Sequence, residues 1–269
     1  MRLEYVGHGK RHGQCRLCGK SGRLSWDHVP PQGAVEIEPV EIDRLAGVFV
    51  SGLAEAKPAL SQNGLKFRTL CGRCNSELGT HCDPALQDFA LSVGRCLTTT
   101  LVLPETLHFR LRPTAIIRAV LGHLAAANTS DSPGGFDELA YSLLYDLGAA
   151  VDPRIGVSCW VHPFPHIVAF RELLMPVRRG RFDNFCRFAI LKFFPLGFAV
   201  FDRPIPYEDT VPLTQWSHLA ADDTADVPVH LRRVHDPFWP EAPAPDNVVL
   251  VGHQGLESVV AKPRKWRQR

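Results

Sequence analysis

The sequence predicts an α+β chain in which a small cysteine-stapled module precedes a larger region of helices and then a mainly antiparallel sheet. Three observations carry that prediction. Two CxxC pairs, Cys15-Arg16-Leu17-Cys18 and Cys71-Gly72-Arg73-Cys74, stand in the first third of the chain. Apolar residues recur at helical spacing between residues 83 and 150. After Pro153 the apolar runs shorten and Pro and Gly separate them, as in antiparallel sheets.

Residues 1–14 are polar and basic, with glycines at 7, 9 and 13, and read as an arm. Residues 15–28 read as a cysteine knuckle followed by a strand over 23–28. Pro30-Pro31 ends that strand because proline cannot donate to a ladder. Residues 32–64 form a long connection closing on Asn63-Gly64, a strong turn signal. Residues 65–70 alternate apolar and polar, which gives a second strand. The second knuckle then opens a short helix over 75–78, with Gly79 as its cap. Asp83 is the expected N-cap of the next helix and Pro84 its first residue. Leu86, Phe89, Ala90, Val93 and Leu97 give that helix an apolar face. A third helix starts at Pro113, with Ile116, Ile117, Val120, Leu121 and Leu124 at helical spacing, and a fourth spans 136–150. Strands are expected over 157–161, 167–170, 188–194, 197–201 and 248–251. The organisation is an arm at 1–14, a module at 15–83, an accessory or regulatory α+β domain at 84–260 and a basic tail at 261–269.

The chain has 269 residues, 45% of them hydrophobic and 22% charged, and those proportions exclude a mostly disordered protein. The net charge of +2 is unevenly spread. Arg2, Lys10, Arg11, Arg16, Lys20 and Arg23 crowd the first 25 residues. Lys262, Arg264, Lys265, Arg267 and Arg269 crowd the end, and Arg178, Arg179, Arg181, Arg187 and Lys192 form a third group. Such clusters either follow a phosphate backbone or are solvated surface. No signal peptide is visible, and the most apolar stretch, 188–201, is too short to span a bilayer and contains Lys192, Pro195 and Gly197. The expectation is a soluble cytoplasmic protein with no membrane partner. In a reducing compartment CxxC pairs favour metal over disulfide.

Between the knuckles stands Ser25-Trp26-Asp27-His28-Val29-Pro30-Pro31, and Asn75 directly follows Cys74. Four thiols in two knuckles suit a tetrahedral zinc, with buried thiols or an iron-sulfur site as the alternatives. The ordered set (CxxC, Asp-His before proline, CxxC with Asn behind it) resembles the HNH endonuclease family over residues 15–79, about a quarter of the chain. The resemblance implies a zinc-stapled ββα-metal fold for this module. It makes Cys15, Cys18, Cys71 and Cys74 structural zinc ligands and His28 the general base. It makes Asp27 and Asn75 ligands of a catalytic divalent cation, Mg²⁺ or Mn²⁺. Adjacent strand residues face opposite ways, so Asp27 and His28 work together only if the strand end bends or bulges. Lys66 stands near the place where the family carries an Asn, and Asn63 is the nearest candidate. Lys66, Arg68 and Arg73 are candidate phosphate contacts, and His81 is a further ligand or a surface His. Cys82, Cys96, Cys159 and Cys186 lack knuckle spacing and read as small buried hydrophobes. His123 reads as packing or surface. Pro163 and Pro165 forbid the helix that would align His162 and His166.

The expected function is metal-dependent hydrolysis of DNA, with defence against foreign DNA as a family-level role. A regulatory protein or ligand is expected at the C-terminal domain. The alternative is a non-catalytic zinc module that binds nucleic acid or protein.

Overall fold

A computed structural model describes residues 10–44, 58–130, 134–178, 181–205, 209–240, 249–252, 255 and 258–264. Residues 1–9 of the expected arm, 265–269 of the expected tail and Arg179 lie outside them. The architecture is α+β, with four helices and a large antiparallel sheet among the described residues.

A hairpin comes first. β1 (His12–Gln14) pairs with β2 (Ser21–His28) around the first knuckle. Gly19, in the left-handed region at φ 67°, closes that knuckle, where its amide and that of Cys15 bond to Cys15 O at 2.9 Å and Lys20 O at 3.0 Å respectively. β3 (Val40–Arg44) and β4 (Ala59–Ser61) follow, then β5 (Lys66–Cys71), which pairs with the far side of β2. The hairpin and β5 form a three-stranded sheet in the order β1-β2-β5.

Helix α1 (Gly72–His81) opens directly at the second knuckle and runs longer than the expected 75–78. Gly79 does not end it; Cys82 does, and α2 (Asp83–Thr98) begins at once. Cys82 is the N-cap and makes no side-chain cap bond, so the Asp83 carboxylate is free for another partner. β6 (Thr106–Leu111), which the sequence pattern did not suggest, precedes α3 (Pro113–Ala126) and α4 (Asp137–Tyr145). α3 is not amphipathic, as its residues are buried all round. It is the central helix of the molecule. Its Arg118 donates to the carbonyls of Leu143, Asp146, Leu147 and Ala149, which caps the C-terminal end of α4.

β7 (Gly156–Val161), β8 (Ile167–Arg178), β9 (Arg181–Phe193), β10 (Leu196–Phe201), β11 (Val211–Pro212), β12 (Ala225–His230), β13 (Leu250–Val251) and β14 (Val259–Pro263) complete the chain. β12 pairs with β6. The rest join a nine-stranded sheet in the order β11-β7-β10-β9-β8-β14-β3-β4, with β13 also on β8. Every pairing in it is antiparallel. Both faces are covered, which explains apolar runs without alternation. Phe188 and Ile190 of β9 face one cluster with Trp160 and Phe170, whereas Ala189, Leu191 and Phe193 face the cluster that holds the helices.

Two stretches change character. Ala261–Pro263 of the expected tail belong to β14, paired with β3, where Lys262 meets Asp43 at 3.3 Å. Lys192 of the third basic group is fully buried and donates to Pro237 O (2.8 Å) and Trp239 O (3.0 Å). No described helix is long and apolar enough to cross a membrane.

Gly122 marks the close approach of α3 to α1. A Cβ there would run into Leu78 Cδ1, so the fully buried Leu78 side chain would have to shift. Gly122→Ala is therefore expected to destabilise the protein. Overpacking costs about 1–3 kcal/mol, against at most ~1 kcal/mol gained in helix propensity. A urea titration of both proteins measures the difference.

Candidate metal centre and adjoining site

The two knuckles meet. The sulfurs of Cys15, Cys18, Cys71 and Cys74 all lie within 4.8 Å of one another, the only such convergence of His, Cys, Asp or Glu among the described residues. Cys18 Sγ is 3.8 Å from Cys71 Sγ, and the Cys71 amide donates to Cys15 Sγ at 3.3 Å. Four thiols at this spacing form a donor set compatible with structural zinc. A hydrogen bond from Cys74, together with backbone amides, brings the Cys15 thiol down to about 4, and the same contact drives Cys74 upward. One thiolate thus forms readily, the state a metal ion binds. Tyr145 of α4 places its hydroxyl 3.0 Å from Cys74 Sγ, and Arg73 lies 5.1 Å over the Tyr145 ring. Arg73 therefore flanks the cysteine cluster rather than the Asp-His dipeptide.

β2 and β5 carry the other candidates. Their pairing slips by one residue between Ser25 and Asp27, where Trp26 faces Arg68 and Thr69. The slip precedes Asp27, so Asp27 and His28 still turn to different neighbours. Asp27 points inward, with Oδ2 3.2 Å from His123 Nδ1. The opposite nitrogen, His123 Nε2, is 2.9 Å from Asp83 Oδ1. His123 is thus neither packing alone nor surface; it is a fully buried imidazole clamped by two carboxylates. Burial by itself would lower its pKa, but Asp83 and Asp27 overcome that and raise it to about 10, so the ring is cationic at neutral pH.

His28 is half-buried and faces outward, its Nε2 3.2 Å from the carbonyl of Asn63. A carbonyl only accepts, so Nε2 is the donor of this contact, and in the neutral ring Nδ1 is then the acceptor. Asn63 thus contributes its backbone, and its exposed side chain plays no part in this contact. The turn that presents it is held by Ser61 Oγ donating to Gly64 O at 2.6 Å and by Gly64 at φ 63°. Asn75 of α1 donates its amide to Trp26 O (2.8 Å) and Ser25 Oγ (3.2 Å). Both of those bonds use its nitrogen, which leaves the amide oxygen as its acceptor.

Lys66 Nζ and the Arg68 guanidinium lie 5.1 and 4.1 Å over the Trp26 ring. His81 pairs with Glu77 on the exposed face of α1, at 3.2 Å, and is not drawn to Asp27 or Asn75. A recess of about 540 Å³ between residues 29–40, α2 and Phe194-Pro195 is mainly apolar and holds none of these candidates. His162 and His166 lie on a loop, as the prolines require. Burial lowers His162 to about 3, which keeps it neutral.

The chain matches no protein-family model, no curated protein and no solved structure.

Sequence reasoning missed His123, Asp83 and Tyr145. A signal existed for the first. A histidine in a helix with no polar face must be buried, and a buried polar group needs a partner.

Proposed function

We propose that this chain is a metal-dependent HNH-type endonuclease that hydrolyses DNA phosphodiester bonds. The observation that carries the reading is the contact of His28 Nε2 with the Asn63 carbonyl at 3.2 Å, which favours the Nε2–H tautomer of the neutral ring. The Asn63 carbonyl holds Nε2–H and leaves Nδ1 free to take a proton, as a general base must. The strand-strand-helix order of β2, β5 and α1 around the four thiols supports it, as does Asn75 lying against the β2 backbone. Cys15, Cys18, Cys71 and Cys74 hold the structural zinc.

In this reading His28 Nδ1 accepts the proton of the attacking water. Asp27 offers a carboxylate and Asn75 an amide oxygen, a set that suits Mg²⁺ and next Mn²⁺. Asp27 and Asn75 would hold such a cation, which would supply Lewis-acid polarisation of the phosphate. Asn75 is fixed by the Trp26 carbonyl, and Asp27, whose Oδ2 meets His123, would offer its other carboxylate oxygen. Arg68 and Lys66, over the Trp26 ring, would meet phosphate. A role in defence against foreign DNA remains an analogy with the family.

The test is nicking of supercoiled plasmid with Mg²⁺ or Mn²⁺. His28→Ala is expected to lose about 10²–10⁴-fold in rate while retaining its zinc. Equal cutting by both proteins removes His28 from the mechanism. One observation favours the second reading, a non-catalytic zinc module binding nucleic acid or protein: Asp27 is committed to a buried ion pair. Salt-sensitive DNA binding without cutting by either protein supports that reading.

A further inference from the structure

We propose that an arginine-lined recess beside β2 is a seat for the phosphate backbone of DNA. The recess has a volume of about 530 Å³ and is bordered by Arg11, Arg23, Arg68, Ser25, Trp26 and Gly72. Among the described residues, no acidic side chain lines it. Arg11 and Arg23 are exposed and come from paired backbone, the Leu24 amide donating to Arg11 O at 2.9 Å. Arg68 reaches across from β5 with its guanidinium 4.1 Å over Trp26, and its buried Nε has no hydrogen-bond partner. None of the three arginines is paired with a carboxylate among the described residues.

Three like charges around one concavity repel one another until an anion enters, and guanidinium forks match phosphate oxygens in pairs. Trp26 holds Arg68 flat, which reduces the side-chain freedom lost on binding. Trp26 and Ser25, which border this recess, also accept the hydrogen bonds of the Asn75 amide. A backbone lying here therefore runs beside the residues assigned to catalysis. The seat rests on the proposed function only for its relation to the cut; its affinity for DNA stands on the arginines.

The test is binding of a labelled duplex by fluorescence anisotropy over a salt series, without added divalent cation and in the His28→Ala background. Arg11→Gln/Arg23→Gln is expected to weaken binding about tenfold or more. It should also lower the slope of log affinity against log salt by about two, one per lost phosphate contact. Arg154→Gln, a distant exposed arginine paired with Asp152, controls for overall charge and is expected to change neither quantity. No duplex binding, binding by the double variant within about twofold of its parent, or an equal loss in Arg154→Gln overturns the seat. Binding with the expected pattern but no plasmid nicking by the protein with His28 intact keeps the seat and removes the nuclease reading. Nicking by that protein, with binding and cutting unaltered when the two arginine substitutions are made with His28 intact, does the reverse.

Discussion

Stripping metal from the four-cysteine cluster is expected to unfold the hairpin and loosen the helices behind it. β1 has three residues, and the knuckles, 56 residues apart at Cys15 and Cys71, are joined by the cluster, the short β2–β5 pairing and the Arg16 amide bonded to Thr69 O at 3.0 Å. A hairpin of this size has marginal stability without a staple. Structural zinc contributes apparent free energies of about 10–16 kcal/mol in small domains, comparable to the whole stability of an ordinary one, about 5–15 kcal/mol. Here the loss should spread, because Tyr145 of α4 contacts Cys74 and Thr69 Oγ1 donates to Ala126 O of α3 at 2.5 Å. One zinc per chain by elemental mass spectrometry is expected. With a chelator, or in Cys18→Ser, the melting temperature should fall by more than about 10 °C, since each kcal/mol moves it by about 2–4 °C at this size. A chain that releases no metal and melts unchanged would overturn the staple.

His123→Leu should be the most damaging single substitution outside the cysteines. It leaves Asp27 and Asp83 facing a fully buried apolar group, with the cation that balanced them gone. Removing one member of a buried ion pair costs about 3–5 kcal/mol, largely because the remaining charge is stranded. Adding Asp83→Asn should recover part of that cost, so the double variant is more stable than the sum of the singles predicts. Chemical denaturation of the four proteins gives the coupling directly, and strict additivity would show that the clamp does not act as a unit. The pH dependence has a definite sign. The folded pKa of His123, about 10, lies above its unfolded value of 6.5, so the folded state binds the proton more tightly. The contribution of the clamp is complete below about pH 6.5 and is lost as pH rises through about 10. The wild-type protein should therefore lose stability across that window, and His123→Leu should lose this component of the loss.

The elements legible in advance were those whose signal is local. The two knuckles, the strands flanking them and α3 at Pro113 follow from spacing, periodicity and a proline at a helix start. The paired strands β7, β9 and β10 follow from their apolar runs. β3, β4 and β14 were hidden because their segments look like polar connections until they find one another. Asp83 looked like a cap because Asp before Pro usually is one; a buried histidine offered its carboxylate a stronger partner.

By itself the sequence determined which residues are available for chemistry: four thiols in two knuckles, an Asp-His pair and an Asn behind the second knuckle. Only the tertiary structure decided how they are used. It turned Asp27 inward to an imidazole from a helix nearly a hundred positions later, and His28 outward to a turn carbonyl. The physical reason is that spacing records which groups are available, whereas burial and partner choice depend on what the rest of the chain packs against them.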